Sequence, residues 1–344
     1  MAIDDSDPAH DATLAGPATP QDTLATMAPS SSGRARRLSL QDYNIGDVLG
    51  SGGMGEVVVA HDKQIGRDVA IKQLRVEAPG PDIIARFLRE ARIQARLEHP
   101  AIVPVHQMGT DDRGLPYFTM KKLAGTTLLA LLARTEQLPR PRLLRIFVEV
   151  CQAVEFAHAR GVVHRDLKPA NIMVGDFGEV YVLDWGLAKL MDERDAPSWV
   201  GADVDSLDGV TQAGAMLGTP GYMAPEQIED AHAVGPAADV YALGAILYEI
   251  LAGEMPHPRG GGAIASTLKA NLASPAQRRP DRNIPPELDT LCMLALTATP
   301  SRRPTVKQLA DKIQGFLDGD RDYAARKELA LTFQKRAREA MDSG

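Results

Sequence analysis

The spacing of apolar residues changes along the chain and divides it into parts. Residues 1–39 have no apolar periodicity and are rich in Ala, Asp, Pro, Ser and Thr, so we expect a disordered N-terminal tail. From Tyr43, short apolar runs alternate with tight turns, which predicts two or three antiparallel strands. A helix is predicted from residue 81 to about 97, and two further strands at residues 102–108 and 117–120.

The apolar stretches become longer after Leu123, which predicts helices rather than strands. Residues 138–160 carry apolar side chains along one side at helical spacing, residues 241–251 are predicted to form a buried helix, and residues 285–318 suggest more helices. Residues 319–344 are predicted to form a charged helical tail. A small sheet-rich half that precedes a larger helical half is an α+β arrangement, not an alternating parallel-sheet one.

Composition and charge argue against some classes of function and leave others open. The 344 residues are 44% apolar and 24% charged, which is typical of a soluble globular protein. Lysine and arginine number 38 against 45 aspartates and glutamates, and the resulting net charge of −7 argues against nucleic-acid binding, which needs a basic face. Phosphate-bearing small ligands stay open, because local geometry rather than net charge holds them.

The sequence lacks the signals of secretion and of membrane insertion. Its start is acidic rather than basic, and its longest strongly apolar stretch, residues 242–252, is about half of the roughly 20 residues that a membrane span needs. Cys151 and Cys292 are too few for a disulfide scaffold and have no zinc-site spacing, so we expect two buried free thiols. These observations predict a cytoplasmic protein without a membrane span.

A glycine-dense segment, Gly50-Ser-Gly-Gly-Met-Gly-Glu-Val57, is a candidate phosphate-binding loop. Glycines let a backbone approach phosphate oxygens without interference from Cβ atoms. Alone the pattern is weak, and a flexible hairpin tip is the alternative. A dinucleotide-binding fold would need a helix directly after the glycines, whereas Val57-Val58-Val59 predicts a strand.

A lysine and a glutamate are candidates to complete such a loop. Lys72 ends the strand-like run Val69-Ala-Ile-Lys72, 17 residues beyond Gly55. Its ammonium would reach the phosphates if a carboxylate held it, and Glu90 in the predicted helix is the candidate. Taken singly, each of the two is more often a solvated surface charge.

A polar cluster between two apolar runs, His164-Arg-Asp-Leu-Lys-Pro-Ala-Asn171, carries the most specific signal. So many polar groups beside buried segments are costly unless they are used. With the glycine segment and the run that ends at Lys72, in this order and spacing, the cluster resembles the Hanks-type (eukaryotic-like) serine/threonine protein kinases of bacterial type. The resemblance extends from about residue 43 to 317.

The resemblance implies a bilobal, protein-kinase-like α+β fold over residues 40–318. The N-lobe would comprise residues 40–120, with a small antiparallel sheet and one helix, the hinge residues 121–123, and the mainly helical C-lobe residues 124–318. It also implies transfer of the ATP γ-phosphate to Ser or Thr hydroxyls of protein substrates, with Mg²⁺ as the metal and Mn²⁺ as an alternative. Autophosphorylation on the activation loop is expected as well.

The same resemblance implies roles for single residues. Asp166 would orient the substrate hydroxyl and accept its proton, with Lys168 near the γ-phosphate, a feature of Ser/Thr rather than Tyr kinases. Lys72, paired with Glu90, would hold the α- and β-phosphates, and Asn171 would bind the metal. The residues expected around ATP are Leu49, Gly50, Ser51, Gly52, Gly53, Met54, Gly55, Glu56, Val57, Ala70, Lys72, Met120, Lys121, Leu123 and Met173. Among these, Lys121 departs from the acidic residue common at its position.

Two tripeptides compete for the second metal-binding position. Asp176-Phe-Gly178 spells the family motif but follows Asp166 by only ten residues and lies between two strand-like runs, so we interpret it as a hairpin turn. Asp184-Trp-Gly186 follows Asp166 by 18 residues, the family's usual spacing, so Asp184 is the expected metal ligand. Trp185 replaces the usual Phe with a larger apolar ring.

Three residues are expected to regulate the activation segment. Thr211 stands where related bacterial kinases carry an activating phosphothreonine, and Arg165 fits a residue that reads this phosphate. Thr219 resembles the threonine that bonds to the catalytic aspartate and lysine. An acidic insert at residues 191–208 is interpreted as a disordered loop, with a docking surface as the alternative. The basic run before Ser39 is interpreted as a solvated patch, with a phosphorylation site as the alternative.

Two positions later in the chain are expected to be structural. Asp239 resembles the buried aspartate that holds the backbone of the catalytic loop. Arg303 resembles the ion-pair partner of Glu226.

Two other functions remain as alternatives. A pseudokinase scaffold would bind ATP without efficient transfer, but the catalytic positions named above are all filled, which favours an enzyme. A small-molecule kinase is disfavoured by residues 218–226, a segment typical of kinases that act on proteins. The C-terminal tail is interpreted as a solvated helix; as the alternative, the tail or the acidic loop would contact a partner or mediate a dimer.

Overall fold

The computed structural model describes residues 40–52, 55–76, 78–134, 138–191, 218–230, 234–258, 260, 262–269, 271–319 and 323. Several predictions fall outside the described residues. They concern the N-terminal tail with Ser39, Gly53 and Met54 of the glycine segment, most of the acidic insert with Thr211, and the C-terminal tail apart from Gly319 and Tyr323.

An antiparallel sheet of five strands, in the order β1-β2-β3-β5-β4, forms the first part of the described chain. The strands are β1 (Tyr43–Ser51), β2 (Gly55–Asp62), β3 (Arg67–Leu74), β4 (Val105–Thr110) and β5 (Pro116–Lys121). The first three strands pair consecutively, which confirms the predicted meander. The strand predicted from residue 102 begins only at Val105. Pro104 has no N–H to donate to a ladder, and Ile102 instead forms an isolated bridge with Val182.

Successive side chains of strand β3 point alternately towards a hydrophobic cluster and away from it. Val69 and Ile71 belong to a hydrophobic cluster with Tyr117 and other buried residues on one face of the sheet. Successive side chains of a strand point to opposite faces, so Ala70 and Lys72 share the other face. The sequence pattern of this strand therefore places the candidate phosphate-binding lysine away from that cluster.

Helix α1 (Pro81–Ala95) packs on the sheet and carries the predicted partner of Lys72. Proline at its first turn has the backbone angle that a helix needs. Phe87 and Ala91 are buried against Phe118 of β5, with the Phe87 and Phe118 ring centroids 5.3 Å apart. Glu90 lies three residues after Phe87, one turn along the same side of the helix. Packing of the aromatic pair thus directs Glu90 towards the sheet.

Helices dominate the second part of the described chain. They are α2 (Leu128–Leu132), α3 (Arg140–Ala159), α4 (Pro225–Glu229), α5 (Pro236–Ala252), α6 (Gly262–Lys269), α7 (Pro275–Arg278), α8 (Pro286–Ala295) and α9 (306–319). Short 3₁₀ turns occur at Leu40–Asp42, Pro169–Asn171, Pro280–Arg282 and Pro300–Arg302. Helix α5 is buried almost throughout and packs on α3 and α8. At Gly244 of α5 a Cβ would lie 2.9 Å from the Cβ of Ala295, so this glycine permits the close approach of α8.

In the helical part, short strands lie on both sides of residues 164–171 in the sequence. A three-stranded sheet has the order β6 (Gly125–Thr127), β8 (Ile172–Gly175), β9 (Val180–Val182), and β7 (Val162–Val163) pairs with β10 (Lys189–Leu190). The turn between β8 and β9 contains Asp176-Phe-Gly178, and the Phe177 side chain is 96% exposed. This confirms that the tripeptide is a hairpin turn. The small sheet-rich part and the larger helical part confirm the predicted bilobal α+β fold.

Two expectations from composition can be compared with the fold. Cys151 on α3 and Cys292 on α8 are free and fully buried, as predicted, and burial raises the pKa of both thiols well above the usual value. Within the described ranges, no helix has the length and apolar character needed to cross a membrane.

Candidate active site

The catalytic loop, residues 164–171, is held at its start by one buried carboxylate. Asp239 on α5 is 1% exposed and accepts hydrogen bonds from the backbone N–H groups of His164 and Arg165, each at 2.8 Å. The side chain of His158, at the end of α3, lies 2.7 Å from the same carboxylate. Burial raises the pKa of Asp239, but the hydrogen bond from His158 and the backbone N–H of His164 lower it overall. The anchor role predicted for Asp239 is therefore seen in the structure.

A second contact fixes the backbone at the next residue. Arg165 has a φ of 72°, a left-handed conformation that is costly for a residue with a side chain. The side chain of Gln227 donates to its carbonyl oxygen at 2.7 Å, and Asp239 accepts from its N–H. The backbone directly before Asp166 is therefore held in one conformation.

The carboxylate of Asp166 is the centre of a cluster drawn from distant parts of the chain. Its Oδ1 accepts from the Thr219 hydroxyl at 2.8 Å, and its Oδ2 accepts from the Lys168 ammonium at 2.8 Å. Lys168 also donates to the Thr219 hydroxyl at 2.6 Å. The side-chain amide of Asn171 donates to the Asp166 backbone carbonyl at 2.9 Å and to its Oδ2 at 3.2 Å. Four residues predicted from the motifs thus meet at one point.

Lys72 on β3 forms an ion pair with Glu90 on α1, as predicted. The Glu90 side chain is buried, whereas the Lys72 side chain is partly exposed on the side of the cleft. Burial, with a smaller effect of the nearby Asp184 carboxylate, raises the pKa of Glu90, and the Lys72 ammonium opposes that rise. The pair ties the helix to the sheet and orients a cation at the end of β3.

The segment that follows β9 carries the last predicted site residue. Asp184 is exposed and has a φ of 60°, so its backbone is in the left-handed region that side chains rarely adopt. The next residue, Trp185, is 1% exposed, and its ring centroid lies 4.6 Å from that of His164. Nε2 of His164 donates to the carbonyl of Leu183 at 3.0 Å. His164 and the buried tryptophan therefore fix Asp184 next to the catalytic loop.

Asn171 and Asp184 fit the requirements of a small divalent cation. Because the amide nitrogen of Asn171 is used by Asp166, its amide oxygen is the atom left for a metal. Mg²⁺ prefers oxygen ligands and is commonly held by one or two carboxylates together with substrate phosphates. No group of three or more His, Cys, Asp or Glu suited to a metal occurs in the described part of the chain, so such a cation would also need phosphate oxygens.

Apart from Gly52, the described residues expected around ATP lie on β1, β2, β3, β5 and β8 and in the hinge. The N–H of Gly52 donates to the carbonyl of Gly55 at 2.8 Å and closes the described part of the glycine turn. A Cβ at Gly55 would lie 2.4 Å from the carbonyl oxygen of Gln73, whereas one at Gly52 would meet nothing within 4 Å. The fold itself thus requires Gly55, and Gly52 is free of that constraint.

The remaining expected ATP neighbours differ in exposure. Ala70 is buried, and Met120 and Met173 are half-buried. Glu56 accepts a hydrogen bond from the side chain of Gln73 at 2.9 Å, so its carboxylate is engaged with β3. Leu49 on β1 is exposed.

An ion pair behind the cluster fixes the segment that carries Thr219. Arg303 donates to both carboxylate oxygens of Glu226, at 2.6 and 2.8 Å, and to the carbonyl of Ala237 at 2.8 Å. Such a two-pronged contact is strong and geometrically specific. Tyr222 also donates to the buried Glu249 on α5 at 2.7 Å. The ion pair expected between Glu226 and Arg303 is present.

Some residues of the site have no recognisable signal in the sequence. His158 is a single histidine near the end of the predicted helix 138–160, and Gln227 is a polar residue that follows Glu226. Both act through contacts with residues more than 60 positions away in sequence, at 81 residues for His158–Asp239 and 62 for Gln227–Arg165. Only the tertiary fold brings these pairs together.

Comparison with known proteins agrees with this geometry. The family profile described as "Protein kinase domain" matches residues 43–313. The chain is 39% identical over 305 residues to "Serine/threonine-protein kinase PknD" of Chlamydia felis, covering 83% of this chain and 32% of the relative. It is 37% identical over 311 residues to the protein of that name in Chlamydia trachomatis serovar D, covering 84% and 33%, and 37% identical over 317 residues to that of Chlamydia muridarum, covering 86% and 34%.

The match extends through both parts of the described fold and includes every motif of the cluster. The chain spans about a third of the length of the curated relatives it matches. The chain belongs to the protein kinase family, in its Hanks-type serine/threonine branch of bacterial type.

Proposed function

We propose that the chain transfers the γ-phosphate of ATP to Ser or Thr hydroxyls of protein substrates, its own activation segment included. The observation that carries this proposal is the cluster of Asp166, Lys168, Asn171 and Thr219, which joins a carboxylate, an ammonium, a side-chain amide and a hydroxyl at one point. Phosphate transfer depends mainly on positioning and on charge stabilisation, and these are the groups it needs.

Asp166 is proposed to orient the acceptor hydroxyl and to take its proton. A carboxylate has about four lone-pair sites. Its oxygens accept from Thr219, Lys168 and Asn171, which leaves room for one hydroxyl donor. Because these contacts fix the side chain before substrate arrives, the base needs no reorganisation at the moment of transfer.

Lys168 and Lys72 are proposed to hold the phosphates from two sides. Lys168 uses two of its three donors on Asp166 and Thr219, and the third is directed to a γ-phosphate oxygen. Lys72, oriented by Glu90, binds the α- and β-phosphates beneath the glycine segment. The two cations neutralise charge at both ends of the bond that breaks.

Asn171 and Asp184 are proposed to hold Mg²⁺, with Mn²⁺ as the alternative. Bound there, the metal neutralises charge on the phosphate oxygens during transfer. The hinge backbone at Lys121 and Leu123 is proposed to bind adenine, with Leu49, Val57, Ala70 and Met173 against the ring.

The test is transfer of γ-labelled phosphate by the purified chain, with and without EDTA, followed by identification of the labelled amino acids. We expect label on Ser and Thr, none on Tyr, and none with EDTA. ATP binding without transfer to the chain or to a general protein acceptor would contradict the proposal and indicate a scaffold.

Regulation through Thr211 forms part of the proposal. A phosphate on Thr211 would pair with a guanidinium, and Arg165, directly before Asp166, is the proposed reader. We expect Thr211→Ala to lower the initial rate of transfer about tenfold or more, since a charge-assisted pair that orders the loop would be lost. Rates are measured for both proteins after preincubation with ATP. Equal rates would contradict this role.

Partners and location are also proposed. The acidic insert and the C-terminal tail are the proposed contacts for protein substrates, a partner or a second copy. An ATP-dependent enzyme with two free thiols suits the reducing cytoplasm, where ATP and Mg²⁺ are available.

A further inference from the structure

Two adjacent lysines of the hinge contact opposite lobes. Lys121 Nζ donates to the Tyr181 hydroxyl at 2.5 Å and lies 4.8 Å from the centroid of the tyrosine ring. Lys122 Nζ donates to Asp68 Oδ2 of β3 at 2.8 Å. Tyr181 belongs to the C-lobe strand β9 and Asp68 to the N-lobe strand β3. The Lys121 side chain therefore connects the hinge to the C-lobe, and the Lys122 side chain connects it to the N-lobe.

Tyr181 connects this contact to the expected nucleotide site. It is 6% exposed and pairs in register with Met173 of β8, which is expected to contact adenine. The same strand leads, three residues later, to Asp184, the expected metal ligand. A side chain that holds Tyr181 therefore also holds the paired strands β8 and β9, which carry Met173.

The two lysine contacts differ in strength. The Lys121 ammonium lies beyond the Tyr181 hydroxyl and near the plane of the ring, so the contact is a hydrogen bond from a charged donor to the hydroxyl of a buried side chain. Lys122 and Asp68 are 34% and 48% exposed, and such surface ion pairs contribute little. The contact of Lys121 is therefore the stronger of the two, and it is the one that crosses between the lobes.

The surroundings allow the contact to be removed cleanly. Lys121 and Tyr181 line a cavity of about 510 Å³ that is open to solvent and is also lined by Glu98 and His99. Independently, the N–H of Val182 donates to the carbonyl of Ala101 at 2.8 Å and ties β9 to the N-lobe side. Loss of the lysine contact therefore leaves the lobes connected and creates no buried void.

We propose that Lys121 is a positioning residue for ATP, acting through Tyr181. By holding β9, it fixes the hinge backbone relative to Met173, so that both contact the adenine at once. This explains why a cation occupies a position where the family commonly has an acidic residue. The inference rests on the proposed function, because it assumes that ATP binds between the lobes.

The test is the Kd for ATP with Mg²⁺, measured by calorimetry on the full chain. Lys121→Met and Tyr181→Phe should each weaken binding about two- to tenfold, the range for the loss of one hydrogen bond. The double variant should be no weaker than the single ones, because both changes remove the same contact. Lys121→Arg should retain most of the affinity. Lys122→Met, the matched control on the neighbouring residue, should bind like wild type.

Three results would overturn the inference. If the wild type binds ATP and Lys121→Met and Tyr181→Phe bind it with the same affinity, the inference about Lys121 is wrong while the proposed function stands. Independent effects that multiply in the double variant would show that the two groups do not act together. A fall in the melting temperature of the ATP-free Lys121→Met protein, with affinity restored at lower temperature, would indicate a general structural role. If the wild type does not bind ATP, the proposed function fails with it.

Discussion

Replacing Asp166 by Asn is expected to lower kcat for phosphate transfer by at least about a hundredfold, the lower end of the usual contribution of a positioned general base. The amide has nearly the shape of the carboxylate but cannot accept the hydroxyl proton. Lys168 and Thr219 would keep one acceptor oxygen, so the loop should remain folded. The expected signature is a loss of kcat with little change in the Kd for ATP. Initial rates and calorimetry on the same preparations measure the two quantities.

Asp176→Asn is the matched control for that experiment. It makes the same chemical change in a tripeptide that spells the family motif, but in the exposed turn between β8 and β9. We expect wild-type kcat and affinity. Loss of transfer in this variant would mean that the wrong aspartate had been assigned to the metal, and that the assignment of Asp184 is wrong.

Replacing Asp239 by Ala is expected to lower the free energy of unfolding by about 3 kcal/mol or more. The change leaves two buried backbone donors, at His164 and Arg165, without their acceptor, and each such group costs about 1–3 kcal/mol. It also removes the partner of His158. The strained backbone at Arg165 would lose its anchor, so kcat should fall as well. Denaturant unfolding, monitored by circular dichroism, gives the free energy.

Asp311→Ala provides the comparison on the surface. Asp311 pairs with Lys307 one turn away on α9, and both side chains are mostly exposed. Exposed pairs contribute less than about 1 kcal/mol. A loss of stability in Asp239→Ala no larger than in Asp311→Ala would contradict the role of Asp239 as the anchor of the loop.

Local sequence patterns predicted the parts of the site that depend on local structure. Lys72 ends a predicted strand and Glu90 lies in the predicted helix, so their pairing needs only that this helix packs on the sheet. The hairpin at Asp176 was predicted because turn residues stood between two strand-like runs. In each case the deciding interactions join residues close in sequence.

Other features depend on contacts that no local pattern records. Asp239, which accepts from the catalytic-loop backbone about 75 residues away, is expected only from the family resemblance, and its second partner His158 on α3 is not expected at all. Lys121 departs from the acidic residue common at its position, and its partner Tyr181 lies 60 residues away in sequence. The late start of β4 follows from Pro104, which has no N–H to donate to a ladder.

Incorporation of phosphate, followed by mass spectrometry of intact protein, tests the central claim most directly. Wild type and Asp166→Asn are incubated with ATP and Mg²⁺ under identical conditions, and the sites are then mapped. The structure predicts phosphate on Ser and Thr residues of the wild type, and none on the variant, although both bind ATP. Equal incorporation in the two proteins would contradict the assignment of Asp166 as the base that takes the proton of the acceptor hydroxyl.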